Sequence, residues 1–183
     1  MMTFLYPLYF SRLFLILTCF LECECWRMQC RTPDPDKKWG YSNDPSGSDR
    51  VDAIDFQTDG EVMLSGYRLW GVRTVSSTSF MVTISLYRGN SLIASETGTY
   101  NTSTCVQMFK VHFSQEIAIS ANVTYTAAIR IVTYEKSFAH EDGIASTSCS
   151  GVNVDFKNSP IDTNYSDEWR GQIPALILLS SRC

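Results

Sequence analysis

Apolar and polar residues alternate with a period of two along most of this chain, the spacing that sends successive side chains to opposite faces of a β-strand. Between residues 80 and 87, Val82, Ile84 and Leu86 share one face, with Thr83 and Ser85 on the other. The longest alternation covers 123–133, where Val123, Tyr125, Ala127, Ile129 and Ile131 point one way and Thr124, Thr126 and Arg130 the other. Over 107–113 the inward set is Phe109, Val111 and Phe113. Further strands are predicted at 51–56, 62–70, 143–149, 152–156 and 173–179, and an apolar run resumes at Leu92. Residues 173–179 are apolar at nearly every position, which predicts a strand central in its sheet and covered on both faces.

Turn signals separate these runs: Asp59-Gly60, Gly89-Asn90, Asp142-Gly143 and Asn158-Ser159-Pro160. Gly89-Asn90 is a hairpin signal, because both residues tolerate positive φ. Many short strands at this spacing, each with one polar face, predict an all-β fold, an antiparallel β-sandwich. No internal repeat points to a propeller or solenoid.

The first 38 residues read differently from 39–183, which form the expected domain. Residues 4–21 are the most hydrophobic stretch, and Arg12 followed by 13–21 resembles the charged and apolar parts of a signal peptide. Residues 21–26 supply no small-residue cleavage site, and Pro7 and Arg12 interrupt any membrane-spanning run. A signal peptide and a leader foreign to a cytosolic domain both stay open, and membrane contact is expected only through this segment. Pro33 and Pro35 among charged residues mark 28–38 as a linker.

Composition narrows the function. Hydrophobic residues make up 44% and charged residues 19%, enough apolar side chains for an ordered core. With a net charge of −4 and no run of Lys and Arg, nucleic acid is not an expected partner. Of seven cysteines, Cys19, Cys23, Cys25 and Cys30 crowd the N-terminal segment, leaving Cys105, Cys149 and Cys183 scattered. That pattern fits a reduced, cytoplasmic domain better than a disulfide scaffold. The sequons at Asn101, Asn122 and Asn164 matter only in a secreted chain.

Catalytic signatures are missing. The two histidines, His112 and His140, fall on a polar strand face and beside a turn, without a nucleophile motif to serve. Cys23, Cys25 and Cys30 form one loose cluster and no second ligand pair answers it, so no zinc is expected. The carboxylate pairs Asp52/Asp55, Asp59/Glu61, Glu141/Asp142 and Asp167/Glu168 all fall at turns or strand edges. The expectation is a non-enzyme without a cofactor. Two loops are too apolar for plain connections: Trp39-Gly40-Tyr41, and Trp169-Arg170-Gly171-Gln172-Ile173-Pro174. Either these residues anchor a protein partner, or the tryptophans fold inward and close the sandwich.

Five segments in order resemble one known family. They are Trp39-Gly-Tyr-Ser42 leading to Asp52-Ala-Ile-Asp-Phe56; Gly66-Tyr-Arg-Leu-Trp-Gly71; Asn122-Val-Thr-Tyr-Thr-Ala127; Asp155-Phe-Lys157; and Gly171-Gln-Ile-Pro-Ala-Leu-Ile177. Together they are similar to the PHR domain of PAM/Highwire-type ubiquitin ligases and of BTB-domain adaptors for cullin-based ligases. The resemblance implies a jelly-roll-like β-sandwich whose loops at one end hold a protein partner, a ligase component or substrate. Carried over, the contacts would be Trp39, Gly40 and Tyr41 with Trp169, Arg170, Gly171, Gln172, Ile173 and Pro174. No BTB or RING segment accompanies them, and residues 158–169 replace the Gly/Asn-rich loop usual in the family. The alternative is a secreted β-sandwich binding glycans or extracellular proteins, with Trp169 and Tyr165 as stacking surfaces.

Overall fold

The computed structural model describes residues 22–26, 39–41, 50–73, 78–102, 108–139, 143–149 and 151–179. Every helix or strand among them is a strand: β1 (Glu22–Trp26), β2 (Trp39–Tyr41), β3 (Asp52–Thr58), β4 (Val62–Trp70), β5 (Val72–Arg73), β6 (Thr78–Arg88), β7 (Ser91–Thr102), β8 (Met108–Ile119), β9 (Tyr125–Val132), β10 (Lys136–Ala139), β11 (Ser146–Cys149), β12 (Val152–Asn158) and β13 (Ala175–Leu179). All pairings are antiparallel. One sheet has the order β1-β13-β4-β8, a second β11-β12-β3-β9-β6-β7, and a small third β2-β10-β5.

The two larger sheets form the sandwich. Leu64, Leu69, Val111, Leu176 and Leu178 from the first share a core with Ile54, Phe56, Ile84, Leu86, Ile129 and Val154 from the second. Val82, Ile84 and Leu86 are fully buried, as their period-two spacing requires. Tyr67 ties the layers with a polar bond: its hydroxyl donates to the Ser85 carbonyl across the core at 2.9 Å. Burial, and secondarily the charge of Tyr87, pushes its pKa well up, so the phenol keeps its proton.

Gly89, at φ 56°, turns β6 into β7. β13 lies between β1 and β4, and Ala175, Leu176, Ile177 and Leu178 are all buried, so both faces are covered. Three elements depart from the sequence pattern. β8 continues to Ile119 past a register shift opposite Leu64–Gly66. There a Cβ on Gly66 would stand 2.1 Å from the Val111 carbonyl oxygen, so only glycine fits. On β9 the nominally polar Thr126 and, two residues on, Ala128 are buried too, on the face opposite Ala127 and Ile129. The Thr126 hydroxyl donates to Asp55 at 2.6 Å, which satisfies it there. Finally, β1 puts a strand within residues 1–38, beside β13. Its Glu-Cys-Glu-Cys alternation has a strand's period but is too short to separate from the apolar run before it.

Truncating the shared core should be costly. Leu176→Ala or Ile84→Ala is expected to lower unfolding free energy by about 3 kcal/mol in urea titrations. Leu92→Ala, at a half-exposed position, is expected to change it by less than about 0.5 kcal/mol.

Candidate protein-binding loop

Residues 159–174 join β12 to β13 without regular structure, so their backbone groups need partners outside a ladder. Two carboxylates at the start of β3 and in the loop supply them. Asp162 accepts from the Ala53 amide at 3.0 Å, the Asn164 amide at 3.2 Å and the Ser166 amide at 2.9 Å. Asp52, itself buried, accepts from the Ser166 hydroxyl at 2.6 Å and the Asn164 side-chain amide at 3.1 Å. Val51 and Thr163 close the attachment: each backbone amide donates to the other residue, at 2.8 and 2.9 Å. The loop is therefore fastened to the first strand of the six-stranded sheet by charge-assisted bonds.

A tight turn at the loop's far end presents two exposed side chains. Asp167 accepts from the amides of Trp169 and Arg170 at 2.8 and 2.7 Å, and from Arg170 Nε and Nη2 at 3.1 and 2.9 Å. Partial burial, the largest single influence, pushes the Asp167 pKa up. The Arg170 side chain, both amides and the Arg170 charge together outweigh it and hold the pKa below the usual value. Trp169 is 53% exposed; its backbone is fixed while its ring faces solvent. Its carbonyl accepts from the Gly143 amide at 2.8 Å, and a Cβ on Gly143 would stand 2.3 Å from the Glu168 carbonyl oxygen. Tyr165, at φ 62° and 83% exposed, and Ile161 add apolar surface to the same loop.

The structure divides the residues proposed from sequence. Trp169 and Arg170 are exposed. Gly171, Gln172, Ile173 and Pro174, expected from the sequence as contacts, are buried. They support the loop. The Gln172 carbonyl accepts from the Trp70 amide at 3.1 Å, and its side-chain amide donates to the Ser137 hydroxyl on β10. Ile173 joins the main core. Trp39, Gly40 and Tyr41 form β2, opposite Ala139, Phe138 and Ser137. β10 thus brings the two motifs to one end of the molecule: it pairs with β2, and beyond it Gly143 bonds Trp169.

Other candidates disperse. His112 is exposed on β8, with Nδ1 2.9 Å from the Ser65 hydroxyl. His140 and the Glu141/Asp142 pair lie outside the described residues. Asp59 binds Asn153 through both carboxylate oxygens, joining the β3 turn to β12. Asp167 and Glu168 serve the loop itself, since the Glu168 amide donates to Asn158 at 3.0 Å. Among the described residues no three His, Cys, Asp or Glu side chains gather into a metal-binding group. Of the sequons, Asn101 and Asn122 are exposed. Asn164 is buried with its amide committed to Asp52, so a glycan there is incompatible with this fold.

Asp52→Ala is expected to destabilise the domain by roughly 2–4 kcal/mol, because it strands buried donors on Asn164 and Ser166. Trp169→Ala should leave the melting temperature within a few degrees; parallel thermal melts compare the two. Burial, partly offset by hydrogen bonds from Ala53, Ser166 and Asn164, raises the Asp162 pKa. A raised acid favours the folded state at low pH, and that contribution is lost as pH rises through the folded pKa. The stability of the wild type relative to Asp162→Asn should therefore decline as pH rises from 3.8, measured by urea unfolding.

Comparison with known proteins agrees with this architecture. The PHR domain family matches residues 30–179. BTB/POZ domain-containing protein 3 from Homo sapiens is 29% identical over 128 residues, covering 70% of this chain and 24% of that protein. The Mus musculus and Callithrix jacchus proteins match to the same extent. The chain thus spans about a quarter of the length of these curated relatives. With the match running from ahead of β2 to the end of β13 on an antiparallel β-sandwich, this chain belongs to the PHR-domain family.

Proposed function

We propose that this domain is a non-catalytic protein-interaction module that captures a partner through Trp169 and Arg170, and that the partner is a component or substrate of a ubiquitin-ligase complex. The observation that carries this reading is an exposed Trp–Arg pair on a loop held by the buried Asp52 and the half-buried Asp162. Aromatic and arginine side chains dominate the energetics of protein interfaces, and a preordered loop loses little entropy when it binds. Trp39 and Tyr41, on β2 at the same end, are the second candidate contact. The similarity to BTB/POZ domain-containing proteins supports the ligase connection, and a cytoplasmic location belongs to the same proposal.

A second reading, a secreted domain binding glycans or extracellular proteins, draws support from the exposed sequons at Asn101 and Asn122. Any processing site within 22–26 would cut the strand beside β13. A glycosylated, shortened chain in the medium of expressing cells would favour this second reading.

The test is affinity capture of the tagged full chain from eukaryotic cells, with captured proteins identified by mass spectrometry. Trp169→Ala and Arg170→Ala are each expected to reduce specific partners by tenfold or more, the loss of about 1.4 kcal/mol or greater usual for an anchor residue. Ligase subunits or their substrates should be among the proteins lost. An unchanged captured set from both folded variants would reject the loop as the binding site.

A further inference from the structure

β13 reads Ala175-Leu176-Ile177-Leu178-Leu179, apolar at every position and without the charged residue or proline that ordinarily guards a sheet edge. The PHR domain spans residues 30–179, and among the described residues of that span the one strand paired with β13 is β4. The opposite side of β13 is therefore an edge of the domain, and β1, which lies ahead of residue 30, covers it. The fit is complete along the strand. Residues 22–26 pair antiparallel with residues 179–175, with no register shift. The irregularity between Ile177 and Leu178 belongs to the β4 side, where Ser65 is skipped, so β13 itself runs on unbroken. β1 in turn carries Glu22 and Glu24, charges of the kind that keep an outer edge from pairing further.

We propose that the β13 edge is a strand-binding site and that β1 is its tethered, exchangeable occupant, which blocks the site to an extended segment of another chain. β1 has five residues and pairs with no other strand among the described residues. Residues 27–38 join it to β2, and Pro33 and Pro35 within them cannot continue a ladder. A ladder this short binds weakly by itself. A tether of this length raises the local concentration of the strand to about the millimolar range, which keeps the edge filled in the intact chain. The ligand that replaces β1 is a segment in extended conformation, held by main-chain hydrogen bonds antiparallel to residues 175–179. This site is separate from the exposed Trp169 and Arg170, although Trp26 opposes Ala175 and so ends beside Pro174.

The experiment uses the full chain and a variant carrying Cys23→Pro and Glu24→Pro. Successive amides of a strand point to opposite sides, so one of the two prolines removes a donor facing β13. The β13 amides likewise alternate between β1 and β4. In the wild type both sets should exchange slowly with deuterium; in the variant only the set facing β1 should exchange about tenfold faster or more. A fluorescent peptide with the sequence of residues 21–28, carrying Cys23→Ser and Cys25→Ser, should bind the variant at least about tenfold more tightly than the wild type, read by anisotropy. Equal or undetectable binding of the peptide to both chains overturns the strand-binding site. Retained protection throughout the variant's β13 overturns β1 as the strand that covers the edge. Loss of protection from both sets of amides, with a collapsed melting transition, shows β1 to be integral to the fold and overturns its exchange.

Discussion

Two buried or half-buried carboxylates, Asp52 and Asp162, hold the long β12–β13 loop on which the arrangement of this end of the molecule depends. Asp52 is the first residue of β3 and Asp162 lies in the β12–β13 connection, so their bonds join segments more than a hundred positions apart in sequence. A carboxylate removed from water loses solvation, and only donors directed at its oxygens make the position tolerable. Ser166, Asn164 and the amides of residues 53, 164 and 166 are those donors. The same bonds fix an otherwise irregular chain, so burial of charge and order of the loop are one arrangement.

That arrangement keeps the backbone of the half-exposed Trp169 fixed. Asp167 sets the local turn, Gly143 brings a second chain segment against the Trp169 carbonyl, and Gln172 links the loop's end to β10 and thus to β2. The buried residues of the Gly-Gln-Ile-Pro segment set position; the exposed residues before it present chemistry. Membership of the PHR-domain family fits this division, since a β-sandwich supplies a rigid base and leaves recognition to the segments between strands.

The β12–β13 loop is fastened to the start of β3, an interior strand of the six-stranded sheet.

Much of the strand plan was legible from alternation alone. Val82, Ile84 and Leu86 lie on a face that only one period satisfies, and the unbroken apolar run through Leu176 correctly indicated a strand enclosed on both sides. Local pattern could not locate β1, whose five residues merge with an apolar neighbour, nor the burial of Thr126 on the face opposite Ala127 and Ile129. The sequence also pointed to the Trp169–Pro174 segment as special, because it is too apolar for a plain connection. It could not separate the exposed Trp169 and Arg170 from the buried Gly171–Pro174 that follow. Nor could it show that Asp52 and Asn164, which read as a solvated charge and a sequon, bond each other in the interior. Periodicity reports which residues share a face within one element, whereas burial of a loop depends on segments distant in sequence that only the folded chain brings together.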